Sequence, residues 1–80
     1  MKIPRDLSSK DLIKCLSSKG YEVTRQTGSH IRLTTQENGK HSITIPAHNP
    51  IKIGTLNNIL RDVAQHFDLS RDELLTELFK

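Results

Sequence analysis

The 80-residue chain has one cysteine, no tryptophan and three aromatic side chains, Tyr21, Phe67 and Phe79. A lone Cys15 closes no internal disulfide and offers no paired thiols for zinc, so neither kind of cross-link is expected to hold the fold. No apolar run approaches the roughly 20 residues that cross a bilayer. The start Met1-Lys2-Ile3-Pro4-Arg5-Asp6 lacks a signal-peptide pattern, which sets a cytoplasmic expectation with no membrane partner. Repeats, low-complexity tracts and Gly/Ser linkers are missing as well, so a single domain over residues 1–80 is expected. A chain of this size buries only roughly two-thirds of its unfolded surface, which leaves little stability to spare.

What the chain does have is charge, unevenly placed. Charged residues make up 26% and hydrophobic ones 34% of the sequence, the balance of an ordered domain rather than a disordered tail. The formal net charge is +3. Residues 1–61 hold ten Lys/Arg against four Asp/Glu, whereas residues 62–80 hold two against five. A basic body with an acidic end fits attraction to a polyanion such as nucleic acid, while Lys10, Lys14 and Lys19 are also explained as residues that merely solvate a helix.

Ser8 with Asp11 three residues later marks a helix start, Leu12, Ile13 and Leu16 supply its apolar stripe, and Gly20 is the expected stop. Alternation then predicts three half-buried strands, around Tyr21 and Val23, Ile31 and Leu33, and Ile43 and Ile45. Facing residues on neighbouring strands share a face, and this constrains the loops. A three-residue loop Glu37-Asn38-Gly39, with Gly39 left-handed, pairs Leu33 with Ile43 and Ile31 with Ile45. The same rule applied to Gln26-Thr27-Gly28 pairs Val23 with Ile31 and Tyr21 with Leu33. The second strand is then central, and its open face carries His30, Arg32 and Thr34, with His30 between Thr24 and Pro46 and Arg32 opposite Glu22. Glu22, Ser42 and Thr44 share that face.

The other face needs a cover. A second helix from about Thr55, carrying Leu56, Ile59, Leu60, Val63 and Phe67, supplies it together with the first. A third helix at about 70–80 begins at Ser70, has Glu73 to complete a capping box, and bears Leu74, Leu75, Leu78 and Phe79. The expected class is α+β in the order α-β-β-β-α-α, a three-stranded antiparallel meander with helices on one face.

Gly20-Tyr21, Gly28-Ser29-His30, Ile43-Thr44-Ile45-Pro46-Ala47-His48, and Gly54-Thr55-Leu56 with Ile59-Leu60 occur in an order and spacing that resemble the HicA-type toxins. These are small messenger-RNA endonucleases of bacterial toxin-antitoxin pairs, and the likeness spans most of residues 7 to 65. It implies a fold like double-stranded-RNA-binding domains, metal-independent RNA cleavage with the signature histidine as catalytic residue, and inhibition by a HicB-type antitoxin. His30 matches that histidine. Two departures accompany the match: Tyr21 stands where phenylalanine is common, and the Ser70 to Lys80 segment extends past the usual end of the motif.

The residue chemistry runs in the same direction. Imidazole, with an unperturbed pKa of about 6.5, both takes and gives protons near neutrality. In RNA the 2′-hydroxyl is an internal nucleophile, so a base that removes its proton drives attack on the adjacent phosphorus without a metal or other cofactor. Arg32, on the face of His30, is placed to stabilise charge developing on phosphate oxygens, or alternatively to pair with Glu22. His48 is a candidate leaving-group acid or phosphate ligand, or a loop residue without a role. Lys52, Gly54 and Thr55 stand at the start of helix two, where free N–H groups attract anions, unless Gly54 or Thr55 is a plain cap. Ser29 joins them as a substrate-binding candidate.

Composition and spacing alone favour His30 as a polar residue filling an exposed sheet position; the resemblance assigns it to catalysis. His41 shares the parity of Ile43, which gives it a structural or edge role, and His66 suits a helix C-terminus. Cys15 and the histidines lack ligand spacing, so no metal is expected. With Tyr21 directed inward the open face has no aromatic platform, and RNA contact falls to backbone and shape. Two other readings stand beside the ribonuclease: a non-catalytic RNA-binding module of the same fold, and a protein-interaction domain that docks a partner or second copy through Leu74, Leu78 and Phe79.

Overall fold

The Ser8 hydroxyl accepts a hydrogen bond from the Asp11 N–H at 3.0 Å, and the Asp11 carboxylate accepts one from the Ser8 N–H. This reciprocal pair satisfies two donors that a helix start leaves open, and helix α1 runs from there over Ser9–Leu16. A short 3₁₀ turn, Ser17–Lys19, carries the chain to Gly20, whose φ of +80° is the left-handed stop expected of it. Strands β1 (Glu22–Thr27), β2 (His30–Thr35) and β3 (His41–Pro46) follow, then α2 (Ile53–His66) and α3 (Arg71–Phe79). The computed structural model describes residues 3–79. Met1 and Lys2, and Lys80 at the end of the expected third helix, lie outside the described residues.

The sheet is an antiparallel meander in the order β1-β2-β3, with β2 central. The second hairpin has the register predicted, Ile31 facing Ile45 and Leu33 facing Ile43, and all four side chains are buried. Burying an aliphatic side chain of this size contributes about 1.5–3 kcal/mol, so a one-residue slip that turned the four outward would cost most of the domain's stability. The connecting loop uses two left-handed residues, Asn38 as well as Gly39.

The first hairpin differs from the prediction. Val23 faces Leu33 rather than Ile31, Glu22 faces Thr34 rather than Arg32, and Thr27 rather than Thr24 faces His30. The loop is the two residues Gly28-Ser29, with Gly28 at φ +56°, the residue order of a tight turn whose twist matches that of the strands. A β-bulge between Val23 and Arg25 absorbs the extra residue. Face parity alone could not reveal it, because β1 is an edge strand whose residues are all exposed and hence provide no inward pattern. Val23 remains 48% exposed even though it faces a fully buried Leu33.

Helix α2 begins two residues before the expected Thr55. Its N-cap is Lys52, without a side-chain cap, so Gly54 and Thr55 lie inside the first turn and neither one caps the helix. Helix α3 does start with the predicted box, Ser70 N–H donating to Glu73 at 2.8 Å and Glu73 N–H to the Ser70 hydroxyl at 3.1 Å. The helices lie over one sheet face and enclose a core that includes Leu12, Leu16, Tyr21, Leu56, Leu60 and Val63. Leu74, Leu75 and Leu78 belong to that same core, which removes Leu74 and Leu78 as a free docking face. Among the described residues no helix is long and apolar enough to cross a membrane.

Candidate functional site

The four histidines divide into two pairs at opposite ends of the sheet. His41, at the start of β3, takes a hydrogen bond with the Tyr21 hydroxyl at 2.8 Å through Nδ1 and lies 3.2 Å from the Asp62 carboxylate through Nε2. His66 stacks on it with ring centroids 4.4 Å apart, and its own Nε2 meets the Glu37 carbonyl at 2.9 Å. Burial, with the Asp62 charge adding, pushes the Tyr21 hydroxyl up to about 12, so it stays protonated across the neutral range. Every ring nitrogen but one is engaged here, and the structural role expected of His41 is met. His66 ends α2 as expected, and its ring lies over His41.

His30 and His48 are different. Both are exposed, and neither makes a hydrogen bond or ion pair among the described residues. His30 opens the central strand directly opposite Pro46, five residues or roughly 17 Å along the sheet from His41. The Ala47 N–H donates to the Ser29 carbonyl at 2.7 Å, one step beyond the last ladder pair, and ties the Gly28-Ser29 turn to the segment that leads to His48. Beyond the end of β3, the Ile51 N–H donates to the Leu7 carbonyl at 2.8 Å, and the Asn49 side-chain oxygen accepts from the Ser9 N–H at 3.0 Å and the Ser9 hydroxyl at 3.4 Å. Asn49 thereby fastens the 47–52 loop to the start of α1. Sequence reasoning missed it, because a loop asparagine gives no sign of a partner 40 residues away.

Pro46, His48, Lys52 and Thr55 line one pocket, together with Asn49 and Pro50. Three of the substrate-binding candidates are thus gathered beside the residue facing His30. Gly54 is in the same first turn of α2, exposed, and an added Cβ would meet no atom within 4 Å. Arg32 lies apart from that pocket: it follows His30 by two residues on the open face and lines a shallow groove with Thr24, Arg25, Thr34, Lys40 and Ser42. Its expected partner Glu22 is displaced by the bulge, so Arg25 stands opposite it instead.

Burial raises the Cys15 thiol, with Asp11 adding and Lys14 opposing, which keeps it protonated and a poor nucleophile at neutral pH. No group of three or more His, Cys, Asp or Glu side chains among the described residues converges as a metal-ligand set. The region thus combines an exposed imidazole, the side chain able to take and give protons near neutrality, with a guanidinium on the same sheet face and a helix start whose N–H groups attract anions. A family model described as HicA toxin of bacterial toxin-antitoxin matches residues 9–64, from α1 through most of α2. No curated protein and no solved structure shows a significant match.

Proposed function

The chain belongs to the HicA toxin family, and from that premise we propose that it is a metal-independent endoribonuclease that cleaves messenger RNA and is held in check by a HicB-type antitoxin in the cytoplasm. His30 takes the proton from a ribose 2′-hydroxyl, whose oxygen attacks the adjacent phosphorus. The bond from phosphorus to the 5′-oxygen breaks, leaving a 2′,3′-cyclic phosphate on one fragment and, once the leaving oxygen receives a proton, a 5′-hydroxyl on the other. His48 is the candidate to deliver that proton or to hold the phosphate. Arg32 stabilises the charge that builds on the phosphate oxygens. Lys52 and the N–H groups of Gly54 and Thr55 hold a neighbouring phosphate, and Ser29, next to His30 in the turn, is a further substrate contact.

The observation that supports this reading is the freedom of the His30 ring. It opens the central strand on an exposed face, near Arg32 and the His48–Lys52–Thr55 pocket that Pro46 lines, and neither of its nitrogens has a partner among the described residues. A glycine at the second position of α2, where packing demands none, leaves room for a backbone phosphate to approach the helix.

The test is direct. Purified protein is expected to cut single-stranded RNA in the presence of a chelator, to leave cyclic phosphate ends, and to spare DNA of the same sequence. His30→Ala is expected to lower the cleavage rate by about 10²- to 10⁴-fold, the range a positioned general base supplies, with an unchanged melting temperature. Cleavage by His30→Ala at the parent rate would refute the role given to His30. RNA that binds in a salt-dependent way but is never cut would establish the binding-module alternative instead.

A further inference from the structure

We propose that the RNA strand leaves His30 across the open sheet face, over a paired-arginine clamp formed by Arg25 and Arg32, toward Lys40. The proposal rests on the ribonuclease reading for the position of the reacting bond, and on the β1 bulge for everything else. In a regular strand Thr24 and Arg25 would point to opposite faces. The bulge sets both of them against Arg32, and the Thr24 hydroxyl meets that of Thr34, an open-face residue, at 3.0 Å. Arg25 therefore joins Arg32 on the open side, where both line the same groove.

Two like charges facing each other on adjacent strands oppose folding. Neither Arg25 nor Arg32 forms an ion pair among the described residues. Glu22 is set opposite Thr34, and with Glu37 it lines an adjoining depression that shares Thr24 and Thr34 with the arginine groove, yet neither carboxylate makes an ion pair with the arginines among the described residues. An anionic occupant relieves that repulsion. His30 and Arg32 are two residues apart on one strand face, roughly 6.6 Å, a separation comparable to that of successive phosphates in an extended strand. Crosswise, the Thr24, Thr34 and Ser42 hydroxyls form a hydrogen-bonded row at 3.0 and 2.9 Å that spans all three strands next to the clamp. Such a row offers donors and acceptors to ribose and phosphate oxygens, and the absence of aromatics on this face matches contact with the backbone rather than stacking on bases. Repeating charge and repeating hydroxyls fit a single-stranded RNA backbone better than an acidic protein segment, whose carboxylates follow no such spacing.

The experiment uses the full chain carrying His30→Ala, so that the probe survives, and a fluorescein-labelled 12-nucleotide single-stranded RNA of mixed sequence. Binding is followed by anisotropy from 25 to 300 mM KCl. Adding Arg25→Gln with Arg32→Gln is expected to weaken binding at least tenfold at low salt and to flatten the slope of log K against log salt by about 1.4, the loss of two phosphate contacts on a single strand. The same charge removed from α1, by Lys10→Gln with Lys14→Gln, is expected to leave the slope within error. The glutamine pair is expected to melt no lower than its parent, since it removes a repulsion. Equal effects of the two charge removals, or an unchanged slope in the arginine pair, would overturn the clamp. So would a pair that binds RNA normally but no longer binds an antitoxin. Should the pair melt early, crosslinking of a 4-thiouridine-labelled RNA to the His30→Ala parent decides: adducts between residues 22 and 34 support the track, adducts confined to α1 refute it. Failure of the wild type to cleave RNA, with the arginine-dependent slope intact, would sink the ribonuclease reading and sustain the clamp.

Discussion

At the scale of single residues, this protein uses the same side chain for two purposes by varying its surroundings. His41 is enclosed by Tyr21, Asp62 and the stacked His66, whereas His30 is exposed and has no partner on either nitrogen among the described residues. The first arrangement stabilises and the second is available for proton transfer. Tyr21 is the group through which the stabilising end can be read. Its hydroxyl is held up to about 12 in the fold against about 10 in an unfolded chain. Between those values the unfolded chain has released a proton that the folded one keeps. Its contribution is therefore full below pH 10 and is lost as the pH rises toward 12, by about 1.4 kcal/mol per pH unit. Tyr21→Phe is expected to cost about 1 kcal/mol near neutrality through the lost hydrogen bond, and to show a shallower fall in stability above pH 10 in denaturant titrations. Parallel falls in the two proteins would refute the assignment.

At the scale of elements, the junctions decide where the chemistry sits. The turn at Gly20 joins α1 to β1 and abuts the other end of the sheet: an added Cβ would lie 2.8 Å from the Thr35 hydroxyl and would collide with the Glu37 carboxylate. Thr35 is fully buried, donates to the Lys19 carbonyl and accepts from the Glu37 N–H, so it has no room to yield. Gly20→Ala therefore adds a clash to the roughly 1–2 kcal/mol of left-handed strain. It is expected to destabilise by about 2–3 kcal/mol, seen as a melting temperature lower by about 10–20 °C. Gly54→Ala, in open space on a helix, is expected to be neutral or to stabilise by up to about 1 kcal/mol. Equal losses at the two glycines would contradict this account.

The β1–β2 junction shows how far such features can be read ahead. The helix boxes at Ser8–Asp11 and Ser70–Glu73, the stop at Gly20 and the β2–β3 register were all legible, because each leaves a local residue pattern or pairs two strands with buried faces. The bulge was not, since an exposed edge strand carries no alternation to betray an extra residue. Arg25 was missed for that reason. Lys52 and Thr55 were expected together at a helix start and His48 apart from them, past the third strand; their gathering in one pocket, and the Asn49 contacts that secure the loop, depend on a partner from a distant element.

At the scale of the whole molecule, α3 lies beyond the residues matched by the family model yet completes the core. Leu74 and Leu75 are fully buried and Leu78 is 9% exposed. At about 1.5–3 kcal/mol each, these three leucines represent a large share of the about 5–15 kcal/mol that stabilises an ordinary domain. Lys19, in the 3₁₀ turn after α1, also pairs with Glu77, fastening that turn to α3. A chain ending at Leu69 is expected to lose its cooperative thermal transition by circular dichroism. A truncated protein that melts within a few degrees of the full one would show α3 to be an accessory.

From the sequence by itself came the periodicities, the caps and the short signature around His30, and these determined the element order, the inward face of the central strand and the family. They are local quantities: a pattern of burial or a hydrogen bond spanning three or four residues is encoded where it acts. The tertiary structure decided which residues stand beside His30, because a one-residue bulge on an edge strand and the capture of a loop by a distant helix start are settled by competition among packing arrangements. Neither leaves a periodic trace in the chain.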